Sequence, residues 1–301
     1  MSGTVITLGT FDGVHRGHQA VLAEVTRRAR AGALTSVVVT FEPHPLAVVN
    51  PAAAPKLLTL TDEKRELVRD AGLAEFVVMP FTHEVAQLDA AAFVRRLCEQ
   101  YAMRELVMGF DHGFGRGRGG DVELVQRLAR TQDFAVAVVD AVREDGQPIS
   151  STLIRTALAH GDLDAAARWL GRRYGIRGRV VRGAGRGRTI GVPTINLEAP
   201  DPQKLLPPDG VYAVTVQIGE REAGSRALHG GMMNQGPRPT FGEHARTLEI
   251  HLFDFDDELY GETVTVEWVR RLRDVQAFAS RDALVAQLER DREAARASLN
   301  R

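Results

Sequence analysis

The string GTFDGVHRGH, residues 9–18, ends in two histidines, His15 and His18, where a short apolar run gives way to a helical pattern. Residues three apart lie on one face of a helix, and the N–H groups and dipole of a helix N-terminus favour an anion there. Beside a polyphosphate, both imidazoles would be pushed toward their charged forms and could donate hydrogen bonds to oxygens that gain charge during a transfer reaction. Gly9 and Phe11 precede the pair, and glycine lets the backbone come close to a ligand. The string indicates a phosphate site rather than a metal site, since no third ligand is near in sequence, and leaves open a pair of solvated histidines at the start of an ordinary helix.

A second candidate phosphate segment is ISSTLIR, residues 149–155. Its hydroxyl groups can cap a helix and donate to phosphate, and an arginine on the same helical face can bind phosphate oxygens. The alternative is a capping sequence without a ligand. The residues concerned are Ser150, Ser151, Thr152 and Arg155.

The second half of the chain carries a different candidate site in GAGRGRTIGVPTINL, residues 183–197. A glycine loop here runs into a strand in which Thr194 and Asn196 share one face. In LEIHLFDF, strand alternation displays Glu249 on the face opposite to the aliphatic one. The alternatives are a hairpin turn and a solvated glutamate. The sequence contains no G-x-x-x-x-G-K-[ST] string, which excludes a Walker-type kinase.

Two kinds of fold are expected to position these residues. Up to about residue 140, β-branched runs alternate five times with amphipathic stretches, which is typical of a parallel, doubly wound α/β sheet whose ligands bind where strands end and helices begin. One of these helices is expected to be capped by Thr61, and two short helices within 148–173 are expected to close this domain. After Tyr174, alternating strands separated by Gly/Pro turns predict an antiparallel β-barrel, followed by a C-terminal helix. We therefore expect a Rossmann-like α/β domain over residues 1–172 and a barrel domain over residues 173–301.

Composition limits the partners of the chain. The net charge is −1 and no apolar run approaches the roughly 18 residues of a membrane span, so we expect neither a nucleic-acid partner nor a membrane. Cys98 is the only cysteine, which rules out an intramolecular disulfide and a cysteine-based metal cluster. The N-terminal sequence lacks a basic n-region, and we expect a cytoplasmic protein that is a monomer or a weak homo-oligomer. Of 38 basic residues, only Lys56, Lys64 and Lys204 are lysine, so an isolated arginine carries little information.

Together the strings resemble known families. GTFDGVHRGH resembles the adenylyl- and cytidylyltransferase superfamily, in which the histidine pair contacts the nucleotide phosphates and a second phosphate-binding segment lies at the C-terminal side of the sheet. With FEPHP, residues 41–45, and the glycine-rich loop GFDHGFGRGRGGD, residues 109–121, the chain resembles the prokaryotic bifunctional riboflavin kinase/FAD synthetases over about residues 4 to 292. The loop departs from the commoner family pattern by having His112 and Gly113 in its middle.

The resemblance implies that the first domain adenylylates FMN with ATP and releases pyrophosphate. Such a reaction needs alignment and cationic groups rather than a protein nucleophile. Catalytic roles are implied for His15, His18 and Arg155, and binding of ATP phosphates for Gly9, Phe11, Ser150, Ser151 and Thr152. Flavin contacts are implied for Phe41, His44, Asp111, Phe114 and, in RRLRD before the terminal helix, Arg271.

In the second domain, PTIN resembles the riboflavin kinase signature, usually P-T-A-N. The resemblance implies phosphorylation of riboflavin with ATP, with Glu249 as general base on the ribityl hydroxyl. Thr194 and Asn196 are implied to bind Mg²⁺ and ATP phosphates, which suits a cation that prefers oxygen ligands. Further phosphate contacts are implied for Gly183, Gly185 and Arg188. The expected substrates are ATP, riboflavin and FMN, with Mg²⁺ as cofactor.

Two alternatives stay open from the sequence. The first is another nucleotidyltransferase, of cytidylyl or pantetheine type, with an unrelated β appendage, for which residues 175–301 alone would make no FMN. The second is a flavin-binding or regulatory protein with decayed sites, which would bind flavin tightly without turnover.

Overall fold

A computed structural model describes residues 3–183, 191–219, 228–237 and 246–300 of the chain. Contacts between Cα atoms divide the chain between Leu153 and Ile154 into two compact units. The predicted domain boundary at residues 172/173 is a boundary of function and stays a prediction.

The first unit is built on a five-stranded parallel sheet. Its order, β3-β2-β1-β4-β5, changes direction between β1 and β4, so the carboxyl end of β1 lies at the switch point where ligands of doubly wound sheets bind. Both faces of β1 are buried: Ile6 and Leu8 join one core cluster and Val5 joins the other. The strands are β1 (Thr4–Leu8), β2 (Thr35–Glu42), β3 (Glu75–Pro80), β4 (Met103–Gly109) and β5 (Ala135–Val139).

Helices cover both faces of this sheet, which confirms the predicted α/β architecture. The longer helices are α1 (Arg16–Gly32), α3 (Thr61–Asp70), α5 (Ala90–Tyr101) and α6 (Val122–Gln132). The pattern did not predict the short helices α2 (Pro45–Val49) and α4 (His83–Gln87) or the hairpin of β6 (Arg143–Glu144) and β7 (Gln147–Pro148). These pieces are too short to show a helical or strand period. The predicted cap of α3 is wrong by one residue, because Leu60 rather than Thr61 occupies the N-cap position.

The second unit contains a closed six-stranded antiparallel barrel of order β10-β11-β12-β9-β8-β13, as predicted. Helix α7 (Ser151–Ala159) spans the division between the units, and α8 (Leu163–Leu170) follows it. The strands are β8 (Gly175–Val181), β9 (Ile195–Leu197), β10 (Gly210–Ile218), β11 (Leu228–Pro237), β12 (Arg246–Leu252) and β13 (Thr263–Arg273).

A terminal helix, α9 (Arg281–Leu299), packs against the outside of the barrel. Its N-cap is Ser280, whose side chain accepts the N–H of Ala283. Ala295 and Leu288 join an apolar cluster with barrel residues, and the buried Asp291 accepts hydrogen bonds from the Arg273 guanidinium at 2.7 to 3.1 Å. In the described residues, no helix has the length and apolar character needed to cross a membrane.

Candidate active sites

The turn that follows β1 is fixed by a buried carboxylate. Asp12, 1% exposed, accepts hydrogen bonds from the N–H groups of Leu58 at 3.0 Å and Thr59 at 2.9 Å. The N–H of Gly13 donates to the Thr59 hydroxyl at 2.9 Å. These bonds hold a strained backbone, because Phe11 has a φ of +45°, a conformation that non-glycine residues rarely adopt. The turn is therefore a rigid platform at the switch point of the sheet.

The two histidines stand directly on this platform. His15 is the N-cap of α1, and its Nδ1 accepts the N–H of His18 at 3.3 Å, so the neutral His15 ring carries its proton on Nε2. The two rings stack with centroids 3.6 Å apart, and the edge of Phe11 packs on His18 with centroids 5.2 Å apart. His15 is 6% exposed, which does not fit the alternative of two solvated histidines. A Cβ at Gly17 would lie 3.1 Å from His15 Cε1, so the glycine leaves room for the ring.

The start of the predicted second phosphate segment meets the same turn. The Ser151 hydroxyl donates to the Asp12 carbonyl at 2.8 Å. Ser150 accepts the N–H of Leu153 at 3.2 Å and caps α7, while Thr152 is exposed. Arg155 is half-buried in the second turn of α7, and the phosphate roles predicted for Arg155 and Thr152 stay predictions.

The two predicted flavin segments reach one aromatic cluster. Phe41, at the end of β2, and Phe114, in the loop after β4, both pack against Phe93, with ring centroids 6.2 and 5.7 Å apart. Phe114 is 7% exposed and anchors the loop in the core, while Asp111 at the start of the loop is exposed. His44 caps α2 through its Nδ1, which accepts the N–H of Leu46 at 3.2 Å.

The glycine-rich loop also reaches the phosphate platform. A Cβ placed on Gly9 would lie 3.3 Å from Phe11 Cε2 and 3.6 Å from His112 Cε1. The segments 9–18, 41–45 and 109–121, which are distant in sequence, therefore share the carboxyl edge of the sheet. Their predicted contacts with flavin stay predictions.

One charged residue of this platform was missed by the sequence analysis. The ammonium of Lys64, in α3, is buried and donates to the carbonyl oxygen of Thr10 at 2.6 Å. Lysine on a helix normally indicates a solvated face, and only its rarity in this chain could have drawn attention to it.

The barrel brings its candidate residues together in adjacent strands. Asn196 on β9 lies directly opposite Glu249 on β12, and such cross-strand partners have Cβ atoms about 4.5–5.5 Å apart on the same face. Thr194 precedes β9 by one residue, two positions before Asn196. A Cβ at Gly183 would lie 2.1 Å from Asn196 Nδ2, so the amide occupies the space that the glycine leaves. Strand pairing thus unites segments that lie more than fifty residues apart in sequence.

The turn before β9 is held from the neighbouring strand. His251 Nδ1 lies 2.7 Å from the Pro193 carbonyl oxygen, to which the ring N–H donates. Burial lowers the pKa of His251, an effect that its bond to Pro193 opposes. Arg271 on β13 donates to the Asp209 carbonyl at 2.6 Å and pairs with Asp274. The predicted phosphate residues Gly185 and Arg188 lie outside the described residues.

Fold and sites define a two-part nucleotide-dependent transferase, with a doubly wound α/β unit followed by a β-barrel. Residues 1–153 match the family described as FAD synthetase, and residues 170–299 match the family described as riboflavin kinase.

Curated relatives match both parts together. The bifunctional riboflavin kinase/FMN adenylyltransferase of Pseudomonas fluorescens is 39% identical, over 98% of this chain and 93% of the relative. Those of Escherichia coli K12 and Bacillus subtilis are 38% and 34% identical, over 98% and 97% of this chain and 92% and 91% of the relatives. A crystal structure titled a macrolide-efflux protein from Streptococcus pneumoniae is 35% identical, with a TM-score of 0.85, over 98% of this chain and 94% of that chain. The chain belongs to the family of bifunctional riboflavin kinase/FMN adenylyltransferases.

Proposed function

We propose that the α/β unit transfers the adenylyl group of ATP to FMN and that the barrel transfers the γ-phosphoryl group of ATP to riboflavin, with a functional boundary at residues 172/173. The observation that carries the proposal is the pairing of Asn196 with Glu249 in one unit and the stacking of His15 on His18 in the other. Each pair stands where its predicted chemistry needs it.

In the α/β unit, a phosphate oxygen of FMN attacks the α-phosphorus of ATP, and the bond to the pyrophosphate leaving group breaks. The protein supplies no nucleophile and works through alignment and stabilisation of charge. His15 donates from Nε2, because its Nδ1 already accepts the N–H of His18. His18, held by Phe11 and by its stacked partner, presents a second imidazole to the same phosphate oxygens. Two stacked imidazolium rings would repel each other, and a polyphosphate relieves that repulsion.

In the barrel, the carboxylate of Glu249 accepts the proton of the terminal ribityl hydroxyl as that oxygen attacks the γ-phosphorus, and ADP leaves. A positioned general base of this kind contributes about 10²- to 10⁴-fold to the rate. Half-burial of Glu249 and its place opposite Asn196 support this role, since the base must stand beside the phosphate-binding group.

Thr194 and Asn196 are the residues we assign to Mg²⁺. A hydroxyl and an amide oxygen next to a carboxylate form the all-oxygen donor set that this cation prefers, so the residues present fit the ion. Mg²⁺ bound there would neutralise charge on the ATP phosphates. Gly183 keeps the Asn196 amide in place by leaving the space that it fills.

The proposal is tested by incubating the pure chain with riboflavin, ATP and MgCl₂ and separating the flavins by chromatography. We expect FMN first and FAD second, with both reactions stopped by EDTA and restored by excess Mg²⁺. Formation of neither flavin product would refute the proposal, and tight flavin binding without turnover would favour a regulatory protein.

A further inference from the structure

Lys64 places a positive charge beneath the turn that carries the histidines. The side chain is 7% exposed, and its Nζ donates to the Thr10 carbonyl oxygen at 2.6 Å and to the Thr40 hydroxyl at 3.3 Å. The Thr40 hydroxyl in turn donates to the same Thr10 carbonyl at 3.2 Å. One backbone carbonyl therefore receives two converging donors from inside the fold.

The surroundings of this ammonium balance its burial. Burial lowers the pKa of Lys64, and the negative charges of Asp12 and Glu42 oppose that effect. A hydrogen bond from a charged donor is about twice as strong as a neutral one. The short bond to Thr10 is consistent with a charged donor.

The carbonyl that Lys64 holds belongs to the peptide joining Thr10 to Phe11. Fixing that peptide plane supports the strained φ of +45° at Phe11, whose ring edge packs on His18. A chain of direct contacts thus runs from the buried ammonium through one peptide and one aromatic ring to an imidazole.

The residue type itself is informative in this chain. Arginine supplies 35 of the 38 basic residues, since only three are lysine. Two of those three lysines, Lys64 and Lys204, are 7% and 4% exposed. A compact ammonium fits a single buried carbonyl, whereas a planar guanidinium brings five donors that would each need a partner. The chain uses lysine at position 64 because the site accepts one point charge.

We propose that Lys64 is a positioning residue for adenylyl transfer, whose ammonium fixes the Thr10 carbonyl and, through Phe11, sets the orientation of the His18 ring. The inference rests on the proposed role of the two histidines. It adds a residue that touches no substrate and that determines how well His18 is aimed.

The test compares Lys64→Met, which keeps the length and removes the charge, with Lys64→Gln, which keeps a neutral donor. Lys56→Met is the matched control, an exposed lysine of the same unit. For Lys64→Met we expect kcat for FMN adenylylation to fall by about 10- to 100-fold, the loss typical of a misplaced catalytic group, with KM for ATP changed less than about threefold. Lys64→Gln should recover part of that loss, and riboflavin phosphorylation should be unchanged in all three variants.

A second readout is independent of turnover. Histidine ring signals recorded by ¹H–¹³C NMR on the ligand-free chain should show the His18 ring displaced in Lys64→Met and unchanged in Lys56→Met. A shifted His18 signal together with a wild-type chain that makes no FAD would support the coupling and refute the proposed function. Normal kcat and an unmoved His18 signal in a folded Lys64→Met chain would overturn the inference and leave the proposed function standing.

If Lys64→Met does not fold, Thr40→Val provides the same test. It removes the hydroxyl that joins Lys64 to Thr10 and keeps the side-chain shape. We expect a smaller loss of kcat and a His18 shift, and a folded Thr40→Val chain with neither change would overturn the inference.

Discussion

At the scale of single residues, Gly183 positions the kinase site by what it lacks. The Asn196 amide lies where the Gly183 side chain would be, with Nδ2 only 2.1 Å from an ideal Cβ. That contact is far inside van der Waals distance, so any larger residue must push the amide away from its place opposite Glu249.

Gly183→Ala is therefore expected to lower the rate of FMN formation by about 10²-fold, because displacement of a positioning group by about 1 Å has an effect of this size. Conversion of supplied FMN to FAD should be unchanged. Gly178→Ala is the matched control, since its Cβ meets only the flexible end of Leu197 at 3.3 Å. Initial rates with flavins separated by chromatography measure both reactions, and full kinase activity in Gly183→Ala would contradict this role.

The residues that sequence could and could not predict differ in the range of their contacts. Strand alternation was enough to place Asn196 and Glu249 on displayed faces, and helical spacing was enough to put His15 beside His18. Lys64 and Asp12 were out of reach, because their partners are 54 and 46 to 47 residues away in the chain and only the folded sheet brings them together. Local patterns carry the periodicity of one element, not the contacts between elements.

At the scale of elements, α9 is fastened to the barrel by one buried ion pair. Asp291 is 3% exposed and accepts bonds from the Arg273 guanidinium and, at 2.8 Å, from Gln287 of its own helix. Removing one partner of a buried pair leaves the other charge uncompensated, which costs about 3–5 kcal/mol. The exposed pair of Arg296 and Asp254 is screened by water and contributes far less.

Asp291→Asn should destabilise the second unit strongly, whereas Asp254→Asn should leave its unfolding midpoint unchanged within error. Both tryptophans of the chain, Trp169 and Trp268, lie in the second unit, so intrinsic tryptophan fluorescence during urea unfolding reports on that unit alone. Equal midpoints for wild type and Asp291→Asn would show that apolar packing of Ala295 and Leu288, rather than the ion pair, holds the helix.

At the scale of the whole molecule, a chain with a net charge of −1 handles polyanionic substrates through local groups. The change of period after Tyr174 was enough to predict a parallel α/β sheet followed by a closed barrel. Where the chain divides depended on the packing of α7 and α8, which their short apolar patterns do not reveal. Each unit carries its own set of polar residues, and the central claim is that each performs its own transfer.

That claim is tested most directly by following both phosphates of ATP in full-length Glu249→Gln and His18→Ala. With [γ-³²P]ATP and riboflavin, label should enter FMN in wild type and in His18→Ala, and should fall by about 10²- to 10⁴-fold in Glu249→Gln. With [α-³²P]ATP and supplied FMN, label should enter FAD in wild type and in Glu249→Gln, and should fall by about 10²-fold or more in His18→Ala. Loss of both labels together in either folded variant would contradict the account.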